Sequence, residues 1–550
     1  MTLSYNKKQQ CFFVVTHDSE KAERAGLTLS TTTRGARGES VYFTSDYNKK
    51  PAMNPYAVMA YYDEADGSAR EQLDPLKVDY DMSWKSETDF QPALSTRVRE
   101  LGHDFRPFQK VGIQYGLAKG NVLIGDEPGL GKTVQAIGIC NEAKAKNVLV
   151  ICPANVRLNW AKEFRKWSTL EKEYNPQVFS SSRHGFNQTV EDRPVNTAIF
   201  SYELAKNPGL HAAILDREWD ALIIDEAHYL KTSDAQRTQA IFGGGRGLFK
   251  SRHISDHVNR IIGLTGTPLP NRPRECYTIA KALCPESIDW ENYEDFCFRY
   301  NPSAMMDTGH NREEQGRLPE LHARLRCNFM IRRLKKDVLK DLPDKVYEFA
   351  YCEPNGAISD VLKRERLLDF KVEDLKNPDS PMFGMISTLR REMGEAKVPR
   401  IIEHVKYLLD GVGIPKIVLF AHHRSVMDAL AHELEPFGVV QVRGGMSMIG
   451  KDKSVQSFKN NPKNRIFLGQ MDSAGVGIDG LQEVCDHVVI AEPAWTPGTN
   501  EQGIDRCHRI GQHGNVLAQF LIVEGSLDEK VLMAILEKNE TIHNVLDKRH

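Results

Sequence analysis

Gly125-Asp126-Glu127-Pro128-Gly129-Leu130-Gly131-Lys132-Thr133 follows the apolar run Val122-Leu123-Ile124 and precedes a helix-like stretch from Val134 to Lys146. Strand, glycine-rich turn and helix start are the three parts a triphosphate needs. Backbone N–H groups and the positive end of a helix receive anionic oxygens. Lys132 then reaches the β- and γ-phosphates, and the Thr133 hydroxyl holds Mg²⁺. Gly129 and Gly131 let the backbone close around the phosphates. The strict pattern G-x-x-x-x-G-K-[ST] asks for glycine at position 126, where this chain has Asp126.

Two more clusters complete a site. Asp225-Glu226-Ala227-His228 comes directly after the apolar run Ala221–Ile224. Ligands of open α/β sheets bind at the carboxyl ends of the strands. The two carboxylates therefore face the same crevice as the phosphate loop. Asp225 suits Mg²⁺ held through water, and Glu226 suits the positioning and activation of an attacking water. Far downstream lies Gln502-Gly503-Ile504-Asp505-Arg506-Cys507-His508-Arg509-Ile510-Gly511-Gln512. Arg506 and Arg509 are three apart and share a face if the segment is helical. Two guanidiniums in a separate domain fit an arginine-finger arrangement, which stabilises charge on a transferred phosphoryl group. Thr499-x-x-Gln502 also matches a capping box, which leaves a purely local reading of Gln502 open.

The rest of the chain organises around these clusters. Short apolar runs alternate with helical stretches at Val122–Ile124, Val148–Cys152, Ala198–Phe200, Ala221–Ile224 and Arg260–Leu264. The alternation returns at Lys416–Phe420, Arg465–Leu468, His487–Ile490 and Gln519–Val523. Fully apolar runs of this length read as strands of parallel sheets buried on both faces. The expected fold is α/β, with two parallel-sheet domains in tandem. Four zones follow: a small α/β module over 1–95, a first domain over 98–285, an irregular then helical and basic connector over 286–400, and a second domain over 401–550. The polar stretch Gln72 to Gln91 reads as a linker. With 550 residues and a net charge of −2, the balance neither demands nor excludes a polyanionic partner, because a neutral body can carry a local basic track. The 10 cysteines include no C-x-x-C pair, against a zinc ribbon or a disulfide framework. No apolar stretch approaches the ~18 residues of a membrane span, and Met1 to Gln10 lacks a signal-peptide core. The expectation is an intracellular protein without a membrane partner, cytoplasmic or nucleoid-associated.

Taken in order, the motifs resemble those of superfamily 2 helicase-like ATPases of the Swi/Snf type. The series runs Phe105-Arg106-Pro107-Phe108-Gln109, the loop at 125–133, Cys152-Pro153 with Asn159-Trp160, Asp225–His228, and Leu264-Thr265-Gly266-Thr267-Pro268. It continues with Lys416–Phe420, Ser473-Ala474-Gly475-Val476-Gly477 and the segment 502–512. The resemblance covers about residues 100 to 540, and Asp126 is that family's own variant of the loop. Arg332-Arg333-Leu334-Lys335-Lys336-Asp337-Val338-Leu339-Lys340-Asp341-Leu342-Pro343 resembles a signature between its two RecA-like motor domains. Pro268 to Tyr277 and Tyr293 to Tyr300 look most like the annealing-helicase, fork-remodelling branch.

The resemblance implies a DNA-dependent ATPase that translocates on duplex DNA and remodels or anneals forks, with ATP and Mg²⁺. A strand-separating DNA or RNA helicase, or a translocase that displaces protein, remains the alternative. Gln109 would read the adenine with Arg106 nearby. Asp126, Gly129, Gly131, Lys132 and Thr133 would bind phosphate, with Thr133 and Asp225 at the metal. Thr265 and Thr267 would couple the nucleotide to DNA. Arg506 and Arg509 would be the fingers, with Gln502 beside them. Asn155, Arg157, Ser201, Lys231, His422 and Ser473 would face nucleic acid, where such groups position without reading sequence. Replication or repair proteins are the implied further partners, and a monomer the implied state. The Gly243–Gly247 stretch with Lys250 and Arg252 reads as a solvated loop or a DNA-touching one. No accessory chromatin-reading sequence is evident, which favours naked or branched DNA. The first 95 residues read equally as a packing module or as one that recognises DNA structure.

Overall fold

The computed structural model describes residues 2–24, 27–34, 39–44, 53–154, 156–169, 176–179, 189–190, 193–194, 196–244, 252–268, 273–288, 293–300, 317–367, 381–474, 478–494, 497–530 and 532. The chain divides into two compact units, one holding Met1–Glu127 and Gly131–Val338, the other Pro128–Leu130 and the chain from Leu339 to Glu540.

The first unit contains two larger sheets and, among the described residues, a two-stranded pair of Thr189–Val190 with Arg193–Pro194. Its amino-terminal sheet joins β1 (Thr2–Asn6), β2 (Cys11–Thr16), β3 (Thr28–Arg34) and β4 (Ser40–Phe43) in the order β1-β2-β4-β3, all antiparallel. The larger sheet joins β5 (Val122–Ile124), β6 (Val148–Cys152), β7 (Pro176–Val178), β8 (Thr197–Ser201), β9 (Ala221–Asp225), β10 (Ile261–Leu264) and β11 (Met330–Ile331). Its order is β11-β5-β10-β9-β6-β8-β7, and every pairing is parallel. The expected buried runs form these strands because Val, Ile and Leu side chains find cover on both faces. The register matters most. Asp225 lies opposite Leu264, and Leu264 opposite Ile124. The first residues past β9, β10 and β5 therefore stand side by side at one edge of the sheet.

The second unit repeats the plan with β12 (Lys345–Tyr351), β13 (Ile417–Ala421), β14 (Val439–Val442), β15 (Ile466–Gln470), β16 (His487–Ile490) and β17 (Val516–Ile522). The order is β12-β17-β16-β13-β15-β14, again wholly parallel. Alternate residues of β13 serve opposite cores: Ile417, Leu419 and Ala421 join one apolar cluster, Val418 and Phe420 the other.

Two expectations change here. The stretch Gln72 to Gln91 is mostly helix rather than linker, since the helix Gly67–Met82 runs through it. Asp66 caps that helix by accepting from Ala69 N at 2.9 Å. Ala69, Leu73 and Tyr80 recur on one face and are buried, a period hidden by the charged residues between them. The same helix shares an apolar cluster with Ala323 and Cys327 of the helix Leu318–Asn328. The amino-terminal module is thus built into the first unit. The segment 286–400, read as a connector, divides between the two units. It supplies edge strand β11 to one sheet and edge strand β12 to the other, with the division at Val338/Leu339.

Candidate active site

The phosphate loop leaves β5 and ends on the helix Lys132–Glu142. Gly131 caps that helix with φ 74°, a left-handed conformation that glycine adopts without strain. A Cβ at position 131 would lie 2.5 Å from Gln109 Nε2. The close approach therefore brings the glutamine amide against the loop. Gln109 is buried in the first turn of the helix Pro107–Lys119, where its Oε1 accepts from Arg106 N at 2.9 Å, and the Arg106 side chain is exposed beside it. Lys132 Nζ donates to the carbonyls of Asp126 (2.8 Å) and Glu127 (3.3 Å). Burial lowers its ammonium below the usual lysine range, against the pull of Glu226, Asp126 and Asp225. The amine is thus held at the mouth of the loop by backbone oxygens that an incoming anion can replace. Thr133 follows, half-buried.

Asp126 behaves differently from the expectation of a ligand-binding side chain. It is fully buried, and both carboxylate oxygens are taken. Oδ1 accepts from Arg333 N and Nε, each at 2.9 Å, and Oδ2 from Gln135 Nε2 at 2.9 Å and from an Arg333 terminal nitrogen. Burial alone would raise its pKa, but Arg333 reverses this and holds it below the ordinary aspartate range. Only the Asp126 carbonyl faces the lysine. A carboxylate in the glycine position is therefore a structural pin, and its partner lies 207 residues away in sequence.

At the end of β9, Asp225 Oδ2 accepts from Trp160 Nε1 at 2.8 Å and Oδ1 from Glu226 N at 3.0 Å. Burial, and then the neighbouring Glu226 carboxylate, push Asp225 up to about 6. Glu226 has φ 53°, a left-handed backbone rare for a non-glycine residue. The Tyr202 hydroxyl holds this turn by donating to the carbonyls of Asp225 (2.7 Å) and Glu226 (3.4 Å). Glu226 Oε2 lies 3.3 Å from His228 Nδ1, which lies 3.0 Å from Thr265 Oγ1. Thr265 Oγ1 in turn accepts from Thr267 N at 3.0 Å. Burial brings the His228 imidazole down to about 4, so it is neutral at pH 7. A polar chain thus joins Glu226 to Thr265 and Thr267.

In the second unit, the expected shared helix face for Arg506 and Arg509 is not present. The helix Pro497–Ile504 ends before them. The chain continues in tighter turns, with Arg506 N donating to Gly503 O and Cys507 N to Ile504 O. Both arginines are tethered to one neighbouring segment: Arg506 donates to Ile478 O at 3.1 Å, and Arg509 lies 3.2 Å from Asp479 Oδ1. Burial pushes the Asp479 carboxyl up, but Arg509, Gln482, Arg506 and the Gly480 N–H together hold it below the usual carboxylate range. Thr499 is not the cap of Gln502, because the helix starts at Pro497, two residues earlier. Gln512 is fully used in structure. Its Nε2 donates to the carbonyls of Cys485 (2.9 Å) and Cys507 (3.0 Å), and its Oε1 accepts from His513 N and Gly514 N.

The residues expected to face nucleic acid vary in what they offer. Ser201 is buried and caps a short helix by accepting from Leu204 N at 3.3 Å. Arg157 turns back onto the carbonyls of Ala154 (3.0 Å) and Phe179. Lys231 pairs with Glu275 at 2.9 Å. Local partners therefore occupy all three side chains. His422 is half-buried, and its backbone N donates to Glu492 Oε2 at 2.8 Å. Ser473 is half-buried, and its carbonyl accepts from Lys451 Nζ at 2.9 Å. Asn155, Asn271-Arg272, Gly475–Gly477, and Arg246 and Lys250 of the glycine-rich loop lie outside the described residues. Sequence reading left Tyr202 without a role, and nothing in its spacing marks it. It also left Trp160 and the Arg332–Arg333 pair without one, although each stood inside a quoted motif.

Comparison with known proteins adds the family. Residues 38–396 match the SNF2-related domain, and residues 400–511 the helicase conserved C-terminal domain. The chain is 30% identical over 455 residues to the SWI/SNF-related matrix-associated actin-dependent regulator of chromatin subfamily A-like protein 1 of Xenopus tropicalis, over 81% of this chain and 45% of that one. It is 29% identical over 465 residues to the human DNA annealing helicase and endonuclease ZRANB3, over 80% of this chain and 40% of that one. The chain thus spans less than half the length of these relatives. A Sulfolobus solfataricus SWI2/SNF2 ATPase core in complex with dsDNA aligns at 21% identity and a TM-score of 0.38, over 82% of this chain and 98% of that one. With the SNF2-related match covering well over half of its length, this chain belongs to the SNF2-related family and carries a helicase C-terminal domain behind it.

Proposed function

We propose that the chain is a DNA-dependent ATPase that translocates on duplex DNA and remodels or anneals branched and forked DNA. The observation that carries the reading is the row at the edge of the first large sheet. There Gly125, Thr265 and Glu226 follow directly on three neighbouring strands whose last residues are in register. Phosphate loop, coupling threonines and water-activating carboxylate thus meet at one edge. Within that row Gln109 faces the base, Gly129, Gly131 and Lys132 take the phosphates, and Glu226 orients the attacking water.

Thr133 and Asp225 are the residues that would hold Mg²⁺. The fit is chemical: a hydroxyl and one carboxylate are hard oxygen donors, and Mg²⁺ takes one or two carboxylates together with phosphate oxygens and water. The described residues contain no group of three or more His, Cys, Asp or Glu of the kind a self-contained metal cage needs. Asp225, pushed up to about 6 beside Glu226, is a carboxyl that a cation would relieve. When bound, Mg²⁺ neutralises charge on the triphosphate. Arg506 and Arg509 act as the fingers of the second unit and Gln502 as their neighbour. The names of the relatives, one an annealing helicase, support the fork-directed form of the reading. On it the protein works as a monomer where chromosomal DNA lies, in the cytoplasm or on the nucleoid, alongside replication or repair proteins. Among the described residues no helix is long and apolar enough to cross a membrane.

The test is ATP hydrolysis with single-stranded, duplex, forked and RNA ligands at one fixed salt concentration, because phosphate contacts make affinity strongly salt-dependent. Duplex or forked DNA should stimulate most, and Lys132→Ala should abolish turnover. Undiminished hydrolysis in Lys132→Ala sinks the reading. Triplex displacement without strand separation identifies translocation; strand separation identifies the helicase alternative.

A further inference from the structure

We propose that Arg332 and Arg333 are positioning residues of the nucleotide cradle, holding its base side, its phosphate side and its coupling segment in one geometry. The inference rests on the ATPase reading and goes beyond it, because neither arginine touches the expected place of the nucleotide.

The two guanidiniums enter from β11, the edge strand that pairs with β5. Gly125 N donates to Ile331 O at 2.8 Å and Glu127 N to Arg333 O at 3.1 Å, so the start of the phosphate loop runs alongside them. Glu127 Oε2 accepts from Lys335 N. Arg332 then bridges two chain segments, donating to Gly125 O at 2.7 Å and Gly266 O at 3.2 Å. Gly266 lies between Thr265 and Thr267. One side chain therefore sets the spacing between phosphate loop and coupling segment.

Arg333 joins three elements. It grips both oxygens of Asp126 in the loop, donates to Gln135 Oε1 at 2.7 Å on the loop's helix, and donates to Phe108 O in the first turn of the helix that carries Gln109. A planar fork with five donors serves such an arrangement, and a lysine ammonium cannot reproduce it. Space for it comes from Gly112. A Cβ there would lie 1.9 Å from Gln135 Oε1 and 2.9 Å from an Arg333 terminal nitrogen. Glycine at 112 thus admits the two side chains, although a helix interior disfavours it.

The same segment is tied outward. Arg326 donates to Arg332 O at 3.0 Å and to Ser83 O at 3.1 Å, with its guanidinium 3.5 Å from the centre of the Trp84 ring. The chain passes into the second unit at Leu339, six residues after Arg333. The cradle is therefore clamped by the stretch that leads out of it.

The experiment compares Arg333→Lys, Arg332→Met and Gly112→Ala with the wild type and Lys132→Ala. Three quantities are measured well below the melting temperature: Kd for a fluorescent ATP analogue, KM for ATP, and kcat. Arg333→Ala is avoided, because it would leave the buried Asp126 carboxylate uncompensated and unfold the protein for a trivial reason. Arg333→Lys and Gly112→Ala should raise Kd and KM on the order of tenfold with a smaller change in kcat, the mark of a misplaced cradle. Arg332→Met should lower kcat more than it raises KM, because it loosens the coupling segment. Folded Arg333→Lys and Gly112→Ala proteins with wild-type Kd and KM overturn the inference. If Lys132→Ala also hydrolyses normally, the ATPase reading itself falls, and the two failures are told apart.

Discussion

Glu226 is one of three described non-glycine residues with a left-handed backbone, beside Gln10 and Lys144. A glutamate at φ 53° stores strain of about 1 kcal/mol or more, which persists because Tyr202 and Asp225 pin the turn. Strain of this kind aims the carboxylate instead of stabilising the fold. Glu226→Gln keeps the shape and removes the proposed base. It should retain binding of an ATP analogue while turnover falls on the order of 10²- to 10⁴-fold. Binding and hydrolysis measured on one preparation check this, and equal losses of both would assign Glu226 to nucleotide binding. Asp126 teaches the reverse lesson. In the sequence it is a substitution in a phosphate loop. Its function in the fold depends on Arg333, which no local pattern connects to it.

Among the elements, the helix Leu318–Asn328 carries the heaviest buried charge. Glu320 is fully buried and accepts from Arg299 Nε (3.1 Å), Arg324 Nε (2.9 Å) and the Tyr300 hydroxyl (2.8 Å). Burial alone would raise its pKa, but Arg299 and then Arg324 bring it down to about 2. A carboxylate depressed in the folded state contributes stability that is full above its unfolded value and is lost as pH falls through its folded one. From the ordinary 4.5 down to about 2, the first unit should lose about 3 kcal/mol through this group alone. Glu320→Gln leaves two buried guanidiniums short of charge and should cost about 3–5 kcal/mol near neutral pH. It should also flatten the acid limb between those two pH values. Urea unfolding across pH measures both effects, and an unchanged acid limb in the variant would place the titrating group elsewhere. The alternation of apolar runs was readable in advance for most strands of the two large sheets. β7, β11, β12 and β14 were not, because they are short, mixed or partly exposed strands at the sheet edges. The helix Gly67–Met82 was hidden for a related reason: three buried positions carry its packing while charged residues dominate its composition.

At the scale of the whole molecule, the chain holds its candidate chemistry in two units, with Gly125–Glu127, Gly131–Thr133 and the carboxylates in the first and the arginine pair in the second. Arg509→Ala should lower turnover on the order of 10³-fold while the Kd for an ATP analogue stays near the wild-type value. Stopped-flow phosphate release set beside equilibrium binding checks it. Retained turnover would assign Arg509 to its contact with Asp479 alone. Sequence by itself determined the two parallel sheets, the ends of their strands and the residue types at those ends. Runs of four or five branched apolar residues bounded by turns fit strands covered on both faces, and a glycine-rich turn before G-K-T has few other uses. Tertiary structure alone decided which of those residues meet. It turned Asp126 inward onto Arg333, ended a helix before Arg506, and built the amino-terminal module into the first unit through Arg326. The first and last of these outcomes depend on buried charges finding partners far away in sequence. Desolvation makes such pairing obligatory, and only the folded chain shows which partner is in reach.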